Sequence, residues 1–177
     1  MAKISNQPAD RRNEVIEMLK TYVGIVKLEP SFVERFYPDF DRMGQSALKA
    51  SGGGKFIPER WIGSSVTANN PRPLKSGGLS MIDRDLVKKS MSLRDAILAA
   101  PQEMLGDAVY KRHGAQFRCL VKILDPGEPI VFHMHATDAQ VKKNKGRFPT
   151  EQFGKDEAYY FLEAPKGPQP YTHAGLH

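Results

Sequence analysis

Phe117-Arg118-Cys119-Leu120-Val121-Lys122-Ile123-Leu124-Asp125-Pro126-Gly127-Glu128-Pro129-Ile130-Val131-Phe132-His133-Met134-His135 holds two short apolar runs around a turn. The runs are Phe117–Leu124 and Ile130–His135, and a third, Ala158–Leu162, follows. Apolar runs this short, broken by Pro and Gly, read as strands of an antiparallel sandwich or barrel. In an extended chain residues i and i+2 share a face, so His133 and His135 stand side by side. Lys155 and Glu157 have the same spacing just before the third run, which puts an ammonium and a carboxylate on one face.

Two fixed imidazoles and a carboxylate suit a divalent metal with one position left open, zinc first and ferrous iron as the alternative. Placement inside an apolar strand favours a ligand role, because an unpaired buried imidazole is costly. The competing reading makes Gly154-Lys155-Asp156-Glu157 a polar turn and the histidines an ordinary pair.

Upstream, the pattern is helical. Val15, Leu19, Tyr22 and Val26 share one face of a helix expected over Arg11–Val26, with Asp10 as its cap. Phe32–Phe40 is aromatic and turn-rich, with Pro30 and Pro38 breaking regular structure, and Phe56–Ala68 reads as extended chain followed by an Asn69–Pro73 turn. Ser92-Leu93-Arg94-Asp95 resembles a capping box for a helix over Leu93–Ala99, and a further helical turn follows Pro101. The loop Ser51-Gly52-Gly53-Gly54-Lys55 is not a phosphate-binding loop, since Lys49 and Phe56 stand where glycine and Ser or Thr are needed. The order is helices, then sheet: an α+β chain, mainly β with N-terminal helices.

The 177 residues fit one domain, or one and part of a second, with the apolar and charged balance of a soluble globular protein. A single cysteine excludes an internal disulfide and fits a reducing compartment; Cys119, in an apolar run, reads as a buried, inert thiol. Neither a leader peptide nor a membrane span is legible, so a cytoplasmic location without membrane contact is expected. The +6 charge is spread along the chain without a nucleic-acid signature, so no nucleic-acid partner is expected. Its one cluster, Lys142, Lys143, Lys145 and Arg147, reads as a solvated loop or as an attractor of an anionic substrate. The oligomeric state is not legible.

Several segments, in order, resemble the type I mannose-6-phosphate isomerases, which are zinc-dependent cupins. They are Pro58-Glu59-Arg60-Trp61-Ile62-Gly63-Ser64-Ser65-Val66-Thr67-Ala68-Asn69, Gly78-Leu79-Ser80 and Leu120-Val121-Lys122-Ile123-Leu124-Asp125. His133-Met134-His135 and Gly154-Lys155-Asp156-Glu157-Ala158-Tyr159-Tyr160 complete the set, spanning about residues 57–162. The resemblance implies a jelly-roll β-barrel over residues 51–177, incomplete in this chain, behind a helical segment over residues 1–50. It implies His133, His135 and Glu157 as zinc ligands, Lys155 as the catalytic acid/base or substrate-binding group, and a hexose phosphate as substrate for aldose–ketose isomerisation.

Three departures stand out. Ala136 and Val131 replace a family proline and a substrate-contacting serine, and the family's downstream ligand histidine and catalytic arginine have no counterpart before His177. His173 and His177 are conceivable replacements, though terminal loop histidines are the plainer reading. The chain therefore resembles the N-terminal part of such an enzyme. Two rival readings are an iron-dependent cupin oxygenase on the same ligands and a metal- or sugar-binding module without catalysis.

Overall fold

The computed structural model describes residues 8–50, 52, 54–70, 77–131, 133–149 and 151–164. Parts of the expected 51–55 loop and 69–73 turn, together with Phe132, His173 and His177, lie outside them. The chain forms two compact units, Met1–Ile130 and Val131–His177.

The first unit is α+β. Its sheet has three antiparallel strands in the order β1 (Ser31–Val33), β2 (Glu59–Ile62) and β3 (Val121–Leu124). Val33 pairs with Glu59 across the first ladder, and Glu59 with Leu124 across the second. Period-two alternation sends Glu59 and Trp61 to the buried face, where Trp61 packs with Val33, Ala68 and Leu120. Helices α1 (Pro8–Thr21), α2 (Ser46–Ala50), α3 (Leu93–Ala99), α4 (Pro101–Leu105) and α5 (Asp107–His113) complete the unit.

The expected boundary after residue 50 is not where the compact units divide. Val15 and Met18 of α1 are buried against Ile82, Met91, Ala96 and Ala100, so the first helix belongs to the same core as α3. α1 begins at Pro8, which puts Asp10 in its first turn rather than at its cap. The helix stops at Thr21, where the Gly24 amide donates to the Leu19 carbonyl and Val23 takes a left-handed φ of 54°. Tyr22 is consequently exposed, and Met18 fills the face expected of it. The box at Ser92 and Asp95 caps α3 as expected, and Pro101 opens α4. Cys119 is exposed, not buried.

A buried carboxylate holds the sheet together. Glu59 accepts from Arg35 Nε at 2.6 Å and Nη2 at 3.0 Å, Tyr37 Oη at 2.9 Å and Trp61 Nε1 at 2.7 Å. Lys122 on β3 adds its charge at 3.5 Å. Burial alone pushes the Glu59 carboxyl up; Arg35, Lys122 and Trp61 outweigh it and hold the pKa at about 2. Asp125, opening the turn after β3, is buried on the Arg42 amide, Arg42 Nε and Gln45.

In the second unit the described residues form one helix, α6 (Asp138–Lys143), and no strand. The strands expected at Ile130–His135 and Ala158–Leu162 are therefore absent among the described residues. Strands form only where a neighbour completes a backbone ladder. Here the Val131 carbonyl is instead bonded by the His133 side chain, and beside the two runs the Lys155 amide donates to the Ala136 carbonyl. Among the described residues, no helix is long and apolar enough to cross a membrane.

Because the folded pKa of Glu59 lies below its ordinary value of 4.5, its contribution is full above about pH 5 and is lost as pH falls toward 2. Glu59→Gln leaves the half-buried Arg35 without its counter-charge and should cost about 3 kcal/mol at neutral pH. It should also flatten the acid limb of stability between pH 5 and 2.5, as urea unfolding measured across that range will report. An acid limb identical to wild type would place the acid-sensitive contact elsewhere.

Candidate metal centre

Thr137 starts the architecture of the site. Its hydroxyl accepts from the Gln140 amide, and the Gln140 side chain accepts from the Thr137 amide, which closes a capping box on α6. Val141, on the inward face of this helix, is 2% exposed. The cap leaves the Asp138 carboxylate facing outward, where it accepts from the Gly154 amide at 2.7 Å. Next along the chain, the Lys155 amide donates to the Ala136 carbonyl at 3.1 Å.

Gly154 is required at this contact. A Cβ there would lie 2.4 Å from the Ala136 oxygen and Thr137 carbon and 2.5 Å from the Asp138 nitrogen, all backbone atoms that cannot turn aside. Two backbones touching at Gly154 place the segment after it beside the segment before Thr137. That brings Lys155 and Glu157 onto the two histidines, some 20 residues back in the chain.

His135 Nε2 is 3.0 Å and His133 Nε2 3.8 Å from Glu157 Oε2. The two rings stand 5.2 Å apart at 73°. One donor atom from each of the three residues fits within 4.8 Å of the others. His133 Nδ1 lies 2.8 Å from the Val131 carbonyl, an acceptor only, so Nδ1 donates there and Nε2 is the nitrogen turned toward Glu157. Lys155 Nζ closes the group, 2.5 Å from Glu157 Oε1 and 3.1 Å from His135 Nε2. Partial burial pushes the Glu157 carboxyl up, but the hydrogen bond and charge of Lys155, then the charge of His135, hold it below its ordinary range.

The donor set fits a divalent cation. Tetrahedral zinc with bonds near 2.0–2.1 Å separates its ligand atoms by roughly 3.3 Å, which the two histidine–glutamate distances bracket. The chemistry also calls for positive charge at this point. If His135 Nε2 accepts from Lys155, it faces Glu157 Oε2 lone pair to lone pair; if it carries the proton, it faces an ammonium.

The histidines are not buried in a strand. Their side chains are 41% and 32% exposed, against 21% for Glu157, so the centre opens to solvent. Of the basic cluster expected as a loop, Lys142 and Lys143 end α6, where they complement the helix dipole, and Lys145 donates to the Glu151 carbonyl. Thr137, Asp138 and Gly154 position the site without being ligands. The Thr137-x-x-Gln140 pattern of a capping box marks the first of them in sequence. No family model matches the chain, and no curated protein and no solved structure matches it.

Gly154→Ala should force the two backbones apart. The Gly154 and Lys155 amides are expected to be slow to exchange in the wild-type protein and fast in the variant, as amide hydrogen exchange will show. Gly146→Ala, whose added Cβ meets nothing within 4 Å, serves as the control and should leave both amides protected. Protection unchanged in Gly154→Ala would contradict this packing.

Proposed function

We propose that His133, His135 and Glu157 hold a divalent cation, zinc first, and that the chain acts as a metal-dependent aldose–ketose isomerase on a hexose phosphate. The observation that carries this reading is the convergence of two imidazoles and a carboxylate within 4.8 Å, with a lysine amine at hydrogen-bond distance from two of them. A bare pair of histidines would not carry it. The resemblance to the type I mannose-6-phosphate isomerases supplies the reaction and the substrate class, and with them a cupin jelly-roll barrel as the fold and the cytoplasm as the setting.

The chemistry that a divalent ion supplies at such a site is Lewis-acid polarisation of a sugar carbonyl and its neighbouring hydroxyl. The residues of the chain do the rest. His133 keeps its lone pair directed inward through the Val131 carbonyl, and Glu157 brings the negative charge that offsets the cation. Lys155 Nζ faces the same point, where it either donates to a substrate oxygen or moves a proton between the two adjacent carbons of the sugar. The proton leaves one carbon and arrives at the next, so the isomerisation needs no external oxidant or reductant.

The exposure of the histidines favours one alternative, a metal-binding module without turnover. An open site offers ligands but does not exclude water from the reacting atoms.

Elemental mass spectrometry of the purified chain should find about one zinc per molecule, lost in the His133→Ala/His135→Ala double variant. Interconversion of mannose 6-phosphate and fructose 6-phosphate should then be measurable, and Lys155→Ala should lower turnover by about 100-fold or more with the metal retained. Zinc kept by the double variant would move the site elsewhere. Stoichiometric zinc without interconversion of the two sugar phosphates would leave the binding-module reading standing.

A further inference from the structure

We propose that Lys155 competes with a metal ion for Glu157 and His135, and that its ammonium must leave those two side chains before the ion can take them. The inference rests on the metal-binding reading above and concerns how the site is loaded.

Lys155 Nζ contacts two of the three ligand residues, Glu157 Oε1 at 2.5 Å and His135 Nε2 at 3.1 Å. The His135 nitrogen is the same one that faces Glu157 Oε2 at 3.0 Å. An ammonium so placed puts positive charge on the His135 nitrogen and on the other oxygen of the carboxylate that faces it, and it keeps the carboxylate and the imidazole converged. A divalent ion held by the three side chains would need the same carboxylate and the same His135 nitrogen. Two cations cannot share them, because unit charges a few ångströms apart repel strongly once water is partly excluded.

The arrangement allows exchange without unfolding. The backbone of Lys155 is fixed by its amide to Ala136, and that of Gly154 by Asp138, so the ligand-bearing segment stays in place. The four-carbon side chain is 37% exposed, which leaves it a route into solvent. An incoming ion must therefore bind well enough to replace two charge-assisted contacts. Zinc, which takes imidazole nitrogen readily, can do so; magnesium and calcium, which prefer oxygen, gain only the carboxylate. The lysine thus raises the threshold for loading and biases the site toward nitrogen-binding metals.

The test is Zn2+ affinity at one fixed pH, measured by chelator competition on the full chain, for wild type, Lys155→Met, Lys142→Met and the His133→Ala/His135→Ala variant. Circular dichroism checks the fold of each. Lys155→Met should bind zinc roughly tenfold more tightly or better, since it removes a competitor from two ligand residues. Lys142→Met, which removes a charge from α6 without touching the cluster, should bind as wild type does.

Equal or weaker binding by Lys155→Met would overturn the inference, the weaker result making Lys155 an orienting partner of Glu157 instead. Similar tightening in Lys142→Met would also overturn it, as a general charge effect. In each of these outcomes wild type still binds zinc and the double variant does not, so the metal-binding reading stands. Absence of zinc binding in every chain would remove both.

Discussion

A carboxylate taken out of water must be matched by donors and positive charge, and Glu59 gathers both from every part of the small sheet. Arg35 reaches it from the chain just after β1, Trp61 from β2 itself and Lys122 from β3, while Tyr37 closes the remaining side. Removing any one donor leaves the others holding an imperfectly compensated charge, so the group behaves as a unit. The three strands are only three or four residues long, and ladder bonds over so short a span would be weak support by themselves. Asp125 repeats the device at the end of β3, where it ties the turn to Arg42 and Gln45.

The second unit is built on a different constraint. Between Gly154 and the Ala136–Asp138 backbone there is no space for a side chain, and the two hydrogen bonds beside that contact fix its register. Everything at the candidate metal centre follows from it. The histidine rings lie 5.2 Å apart, and on the other segment Lys155 is bonded to Glu157 two residues on. The glycine contact sets the distance between the two pairs. Positive charge is then needed beside Glu157 and His135, and in this structure Lys155 brings it to Glu157 Oε1 and His135 Nε2.

Much of this was legible in the sequence, and the parts that were not share a cause. The cap at Ser92 and Asp95, the helix start at Pro101 and the turn at Asp125 depend on neighbours close in the chain. The i, i+2 spacing of His133 and His135 and of Lys155 and Glu157 is likewise local. Strands at Ile130–His135 and Ala158–Leu162 were expected from apolar content, yet a strand is defined by a distant partner, and the described residues supply none. The same dependence explains the exposure of Cys119 and the joining of α1 to the α3 core, since burial is decided by what packs alongside. Helix α6 is the exception. Its Thr137-x-x-Gln140 box is a local signal, and the basic Lys142 and Lys143 after it end a helix rather than form a loop.

The most direct measurement of the account is the X-ray absorption spectrum of the chain loaded with one equivalent of zinc. It should show a first shell of nitrogen and oxygen at about 2.0–2.1 Å, with the outer-shell scattering of two imidazoles. A shell of water oxygens alone, or a sulfur contribution from Cys119, would contradict the assignment of the site to His133, His135 and Glu157.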